Sequence, residues 1–504
     1  GLFALHPLQS QSVSYVVQRG ESLASALYLA ALLLLLQADR RELGWRSAPL
    51  WLGAAAAFLL GLGAKTIVVT LPAAWLLVVA LLPSDVERAR LLTWRWRLLA
   101  LLPLAAFDAA YALTVVPALR QSDIGFTVPG LTSWTYLLTQ LRVVTTYLRL
   151  LVWPAGQTVD WHLAPERLLA GWGTLAAGAF LVALGGGALW LAVRARHRSD
   201  QGGAAARLGG VGVLWFFVLL APTSSLVPIA DLLMEHRVYL ASLGVFLAVA
   251  VAAERLLDRP NWRRPAWLAP ALVGVAWLSL AVLLHARNGA WESRLALWTD
   301  AVEKVPDNPR AWTNLGHATV QAGRLEEAIP IFQRALALAA GDPRLRAQLL
   351  GNLGAVQSVL GRLDEAEQTL RRALEVAPRD PGSLSKLALT LAGKGALAEA
   401  EALARRLVST SPLSGEAWST LGEIRLAAGD ADGALPSFER AVALEPDMPY
   451  RQLGRVKALA ALGRRTEACD ALRRLPPGLD RSLADTRGDA WRAIGCGPAP
   501  GPTP

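Results

Sequence analysis

Three short stretches of the 504-residue chain gather side chains able to hold an anion or move a proton. The first is His6-Pro7-Leu8-Gln9-Ser10-Gln11-Ser12, followed by Gln18-Arg19-Gly20-Glu21 directly ahead of an apolar run. The second is Gly61-Leu62-Gly63-Ala64-Lys65-Thr66, a lysine between two apolar segments. The third runs from Ala221-Pro222-Thr223-Ser224-Ser225 through Asp231 to Glu235-His236-Arg237-Val238-Tyr239-Leu240. Arg19, Lys65 and Arg237 are cations suited to phosphate oxygens, and Arg142 and Arg149 can add to them. His6, Glu21, Glu235 and His236 complete the set of site-lining candidates. Each also has a structural reading: Lys65 and Arg237 can snorkel from helix ends, His6 can be a satisfied interfacial histidine, and Glu235 with Arg237 can be an ion pair. No nucleotide loop, zinc motif or Ser-His-Asp pattern occurs at workable spacing, so neither a metal nor a resident cofactor is expected.

The elements that must position these residues are apolar helices. The chain is 53% hydrophobic and 18% charged, with mean hydropathy +0.35. Most of the apolar excess lies before residue 287, in recurring runs near the length that spans a bilayer. This pattern excludes a soluble, fibrous or disordered chain and predicts a polytopic membrane domain over 1–286. About eight spans are expected, near 22–38, 49–64, 67–83, 98–119, 168–194, 209–222, 238–253 and 265–286. A ninth apolar stretch, 133–153, carries Gln140, Arg142 and Arg149 and reads as an amphipathic helix lying in the interface.

Orientation follows from arginine. Four loops are basic: Arg40, Arg41 and Arg46; Arg88, Arg90, Arg95 and Arg97; Arg194, Arg196, Arg198 and Arg207; Arg255, Arg259, Arg263 and Arg264. The positive-inside rule puts all four in the cytoplasm, consistently with spans alternating around the interfacial helix. Residues 1–21, Lys65, 120–167, 223–237 and everything after 286 then lie outside the cytoplasm. The unusual polar residues collect on that face, which marks it as the place for a site. The net charge of +10 is accounted for by topology, and no nucleic-acid partner is expected.

From about 308 the chain repeats at a spacing of 34. Gly361, Gly395, Gly429 and Gly463 follow this step, as do Ala366, Ala400, Ala434 and Ala468, and Pro378, Pro412 and Pro446. Trp312-x2-Leu315-Gly316 with Ala328, Phe332 and Ala335 resembles the tetratricopeptide signature, as does Trp418-x2-Leu421-Gly422 with Ala434, Phe438, Ala441 and Pro446. The first step is 38, an insertion of four near Ala340–Leu345. The expected organisation is a junction half-repeat at 287–308, five repeats over 309–479, and a capping helix with a loose tail over 480–504. The fold class is therefore all-α: a multi-spanning helical domain followed by an α-solenoid. Cys469 and Cys496 either pair and fasten the cap, outside the cytoplasm, or stay as thiols.

The order of these stretches resembles a known family. His6-Pro7 through Arg19, Ala64-Lys65 through Thr70-Leu71-Pro72, Tyr147-Leu148-Arg149-Leu150-Leu151, Pro222 through Leu240, and the Trp291–Asn308 junction are similar to the multi-spanning glycosyltransferases of the C superfamily. The likeness is to the transmembrane and tetratricopeptide repeat O-mannosyltransferases and their bacterial relatives. The resemblance implies transfer of a sugar from a polyprenyl-phosphate carrier to Ser or Thr of exported proteins, with the membrane, the lipid-linked donor and acceptor or partner proteins in the repeat groove as partners. It also implies a bacterial inner-membrane location with periplasmic repeats. The family's acidic pair precedes the stretches matched here, so the base is expected upstream and catalytic residues are unassigned. Gln11 and Thr66 stand where relatives usually carry Glu. A non-catalytic, membrane-anchored repeat scaffold recruiting envelope proteins is the alternative.

Overall fold

The computed structural model describes residues 1–15, 18–39, 47–82, 106, 109, 130–166, 171–224, 227–257, 265–475 and 481–496. The expected span at 98–119, residues 106 and 109 apart, and the basic clusters at 40–46 and 88–97 lie outside them, as do Arg259, Arg263 and Arg264. The described residues are all-α, with 22 α-helices and no strand. They form two compact units, Gly1–Pro306 and Asp307–Pro504.

The first unit opens with short helices α1 (Leu2–Leu5) and α2 (Ser10–Ser14), then α3 (Arg19–Asp39), α4 (Ala48–Ala64) and α5 (Leu71–Leu81). It continues through α6 (Ser133–Val152), α7 (Trp172–Arg194), α8 (Gln201–Leu220), α9 (Ser242–Leu257), α10 (Leu268–Gly289) and α11 (Arg294–Lys304). Four of these, α3, α7, α8 and α10, have 20 to 23 residues and are apolar enough to cross a membrane. At about 1.5 Å per residue such helices reach roughly 30 Å, the thickness of a hydrocarbon core. The shorter apolar helices are Ala48–Ala64 and the Thr66–Leu81 stretch.

Between apolar helices in lipid, close packing does the work that burial from water does elsewhere. Gly212 of α8 and Gly244 of α9 accordingly meet backbone to backbone, and a Cβ on either would collide with the other's carbonyl oxygen. Tyr28, Phe58, Trp75, Tyr147 and Phe216 fill the centre. Helix α6 is amphipathic: Tyr136, Gln140, Val143, Tyr147 and Leu150 are buried on one face, while Arg142 and Arg149 are exposed on the other. Its buried polar residues, spaced by three or four, matter for the site.

The second unit is a ladder of helix pairs: α12 (Pro309–Gln321) with α13 (Leu325–Leu338), α14 (Pro343–Val359) with α15 (Leu363–Val376), and α16 (Pro381–Gly393) with α17 (Leu397–Thr410). Then follow α18 (Gly415–Ala427) with α19 (Ala431–Leu444), α20 (Pro449–Ala461) with α21 (Arg465–Arg473), and a final helix α22 (Arg481–Ile494). The glycines at 34-residue spacing sit where each pair turns. Gly361, Gly395, Gly429 and Gly463 have φ of 76°, 82°, 80° and 71°, a conformation that side chains disfavour. The four-residue insertion is absorbed inside a helix: α14 has 17 residues where the other first helices have 13, about one extra turn. Cys469 in α21 and Cys496 after α22 form a disulfide, with Cα atoms 5.5 Å apart.

Candidate functional site

The segment between α8 and α9 is the polar centre of the first unit. Its middle, Glu235–Val238, is a single 3-10 turn, and side chains from three other elements fix its backbone. From α6, the Tyr147 hydroxyl donates to the Met234 carbonyl and accepts from the Met234 amide, each at 3.0 Å, and Gln140 Nε2 donates to the Leu232 carbonyl at 2.9 Å. From α2, Gln11 Oε1 accepts the His236 amide at 2.7 Å. From α8, Trp215 Nε1 donates to the Leu240 carbonyl at 3.1 Å. Buried backbone groups left unpaired cost about 1–3 kcal/mol each, so these contacts define the segment's position. Gln11, noted above as a departure from Glu, needs only an acceptor oxygen here, which an amide supplies.

Two clusters flank this turn. In the first, Lys65 ends α4 and donates to Gln18 Oε1 at 2.8 Å, with Glu21 Oε2 at 3.7 Å. The Lys65 and Arg237 cations both act on Glu21 and on His236. Arg237 Nη2 donates to the Asp231 carbonyl at 2.7 Å. His236 is buried and its Nδ1 has no hydrogen-bond partner among the described residues. Burial, then the charges of Lys65 and Arg237, push this histidine down to about 3, so its ring is neutral. Arg19 is exposed in the first turn of α3, two residues before Glu21. The cluster thus joins two cations to one buried carboxylate, and half-exposed Lys65 faces outward.

The second cluster centres on Glu235, whose side chain is wholly buried. Its Oε1 accepts the Thr158 amide at 2.8 Å and Trp161 Nε1 at 3.2 Å, while Oε2 lies 3.9 Å from Arg287. Arg287 donates to Asp300 at 2.7 Å, and Lys304 reaches Asp300 at 2.6 Å and the Gln157 carbonyl at 2.7 Å. Burial pushes the Glu235 carboxyl up to about 7 against the opposing pull of Arg287. Glu235 and Arg237 are not each other's partners. In a helix of three residues per turn, positions i and i+2 point about 120° apart, so the two face different clusters.

The remaining candidates hold backbone. His6 Nδ1 accepts the Leu8 amide at 3.2 Å, which assigns the proton to Nε2, donated to the Leu151 carbonyl at 3.2 Å. Burial pushes His6 down to about 4. Arg142 pairs with Glu166, and Arg149 donates to the Ala155 carbonyl at 3.1 Å, so both clasp the chain that follows α6. The structure therefore brings together Glu21, Lys65, His236 and Arg237, with Arg19 nearby in sequence, and sets Glu235, His6, Arg142 and Arg149 apart. Reading the sequence missed Arg287 and Tyr147, and it placed Gln18 in the first polar stretch without its role as acceptor for Lys65. Arg287 carried a usable signal: a cation in the last turn of an otherwise apolar helix must find an anion or water. An apolar groove of about 1320 Å³, lined by Leu2, Phe3, Phe246, Leu247 and Trp277 among others, lies between α9 and α10.

The chain thus joins an apolar helical unit, containing helices able to cross a membrane, to an array of helix pairs. Tetratricopeptide repeat models match residues 307–379, 354–415 and 425–483. Over the repeat region the chain is similar to O-mannosyltransferases. It is 30% identical over 131 residues to Protein O-mannosyl-transferase Tmtc3 of Drosophila melanogaster, 25% of this chain and 14% of that protein. It is 28% identical over 120 residues to Protein O-mannosyl-transferase TMTC3 of Mus musculus, 23% of this chain and 12% of that one. The match thus spans about one seventh of the length of these relatives. A thermophilic TPR protein of Thermus thermophilus aligns over 37% of this chain and 100% of its own, with 24% identity and TM-score 0.33.

Proposed function

We propose that this protein is an integral membrane glycosyltransferase that moves a sugar from a polyprenyl-phosphate carrier to Ser or Thr of exported proteins, on the extracytoplasmic face. The observation that carries the reading is the convergence of Lys65 and Arg237 on one buried carboxylate beside a neutral histidine. Such cations stabilise the phosphate that departs when the glycosidic bond to the carrier breaks. Lys65 and Arg237 hold that phosphate, Arg19 adds charge at the cluster's edge, and Glu21 keeps the cations in place between turnovers. The apolar groove between α9 and α10 suits a prenyl chain. The repeats bind the acceptor or a partner protein. The likeness to O-mannosyltransferases and the Cys469–Cys496 disulfide, at home in an oxidising compartment, both favour this assignment.

A second reading, a non-catalytic scaffold, is favoured by one observation: the similarity to known transferases lies over the repeats. Glycoproteomics of the cell envelope, comparing the intact gene with its deletion, separates the two. Loss of hexose additions on Ser or Thr of particular exported proteins, restored by wild type and not by an Arg19→Gln, Lys65→Gln variant, is the result expected of the transferase. An unchanged glycan profile, with exported proteins co-purifying through residues 309–494, would transfer the assignment to the scaffold.

A further inference from the structure

Helices α7, α8 and α9 touch closely at one level and part at another. α7 meets α8 at Gly210, where an added Cβ would lie 2.7 Å from the Ala188 carbonyl oxygen, and α9 meets α8 at the Gly212–Gly244 crossing. From there towards the first turn of α8 the three helices leave a groove of about 570 Å³. Gly202, Ala206 and Gly209 of α8 form its floor, with Gly187 of α7 and Val251 of α9 to either side. Two of these glycines are not demanded by neighbouring helices. A Cβ at Gly187 would meet nothing within 4 Å, and one at Gly209 would meet Val251 Cγ1 at an ordinary 3.9 Å. Glycine inside a helix costs about 1 kcal/mol relative to alanine, so the pair keeps room for something outside the chain.

The groove has the depth of a single leaflet. Its floor along α8 runs from Gly202 to Val213, a rise of about 16 Å at 1.5 Å per residue, against about 30 Å for a whole hydrocarbon core. Gly212 faces Gly244 and Gly209 faces Val251, so α8 and α9 run antiparallel. Arg255 therefore stands level with the first turn of α8, where a membrane-length helix begins. The last turn of α9 carries Glu254 and Arg255, which point about 100° apart. Glu254 lines the larger groove beside α10, whereas Arg255 lines this one. Three other arginines at this end are engaged: Arg198 pairs with Asp200 at 2.8 Å, Arg207 donates to the Ala195 carbonyl at 2.8 Å, and Arg194 lies 5.4 Å over the Trp190 ring. Arg255 is exposed and has no hydrogen-bond or ion-pair partner among the described residues.

We propose that this groove binds an anionic glycerophospholipid, with an acyl chain along the glycine and alanine floor and the phosphate on Arg255. An arginine at the mouth of a groove between membrane helices attracts such a headgroup by its charge and holds it by direct N–H donation. A phosphate on an apolar tail is chemistry that a polyprenyl phosphate shares, but a groove one leaflet deep matches a fatty acyl chain, which ends near the midplane. A transmembrane helix of a second copy is a poorer occupant. Such a helix is about 10 Å across, so the groove would take little more than one turn of it. The inference goes beyond the transferase reading, and its readout does not involve sugar transfer.

Native mass spectrometry of the full chain released from detergent tests this, with phosphatidylglycerol, phosphatidylcholine and a long-chain polyprenyl phosphate as probes. Phosphatidylglycerol should be retained at least about tenfold more strongly than phosphatidylcholine, and Arg255→Gln should remove that margin, as loss of one charge-assisted contact implies. Gly187→Leu puts a side chain into the groove where its Cβ meets no neighbouring atom, and should also weaken phosphatidylglycerol retention about tenfold. Because leucine favours a helix over glycine, that variant guards against a folding defect passing for lost binding. Equal retention of the two phospholipids, or wild-type retention in Arg255→Gln, would overturn the proposal. So would Arg255-dependent retention of the polyprenyl phosphate above phosphatidylglycerol, which would make the groove a carrier site. A dimer that is lost in Gly187→Leu while lipid retention is unaltered would make it a helix interface instead.

Discussion

Glu235 is a carboxyl placed where two physical effects oppose one another, and replacing it with glutamine reveals which dominates. It is wholly buried, which favours the protonated form, yet Arg287 lies 3.9 Å away and favours the ionised one. Burial outweighs the cation and raises the group from 4.5 to about 7. In the unfolded chain the same carboxyl ionises near 4.5. Between these two values the unfolded state has lost its proton and the folded state has kept it. The stability Glu235 contributes is thus fully present below about pH 4.5 and is lost as pH rises through about 7. Each unit is worth about 1.4 kcal/mol, so the whole change is about 3 kcal/mol. Glu235→Gln keeps an acceptor for the Thr158 amide and Trp161 Nε1 but cannot ionise. Thermal unfolding of purified wild type and variant in one detergent, at intervals from pH 5 to pH 8, isolates the difference from every other titrating group. Wild type should lose ground to the variant steadily up to about pH 7 and then hold constant. Parallel curves over this range would show that the Arg287 ion pair outweighs burial and keeps Glu235 ionised throughout, because any gain of the wild type would then fall below about pH 4.5.

Other consequences are open to direct measurement. Replacing Cys496 with serine opens a loop closed across 27 residues and should weaken attachment of the last helix by about 3–4 kcal/mol, read as faster hydrogen exchange over 481–496 with the first three repeats unaffected. Lys65→Gln with Arg237→Gln should abolish sugar transfer while the detergent-extracted protein remains folded by circular dichroism; retained transfer would exclude both from holding phosphate. Cysteines introduced near residues 200 and 260 should label from the cytoplasm, and those near 160 and 400 from outside. Labelling of position 400 from the cytoplasm alone would reverse the orientation on which the proposed function depends.

What could be read before folding was whatever repeats or stays local. Helical periodicity and the 34-residue step identify the helices of the array because each glycine and alanine recurs for the same local reason, a left-handed turn or a close crossing. The four-residue insertion near Ala340 shows where this stops: counting locates extra residues, but only packing decides that they become another turn of α14 instead of a longer loop. The site is harder to read because its residues are joined across the chain. His236 is fixed by Gln11, 225 positions away, and Met234 by Tyr147, 87 positions away. Tyr147 lay within a stretch quoted for its family resemblance, yet nothing in its spacing reveals a hydroxyl that closes a backbone loop.

The third polar stretch shows most clearly why proximity in sequence misleads here. Glu235, His236 and Arg237 look like one constellation, and an ion pair between the outer two is the simplest reading. A 3-10 turn instead splits them: Arg237 goes to the Lys65 side with His236, and Glu235 goes to Arg287. That division has a functional consequence. Because Arg237 is not paired with its neighbour two residues away, its charge and that of Lys65 both act on Glu21 and on His236, with Asp231 the second acid facing that histidine. Two cations on one side of the turn, beside apolar helices, are the groups that the proposed anionic donor would engage. Had Glu235 paired with Arg237, Lys65 would lose the second cation of its cluster and the case for a phosphate ligand would lose its main support. The twist of a four-residue turn therefore decides which charges share the Lys65 side, and the proposed phosphate contact depends on that division.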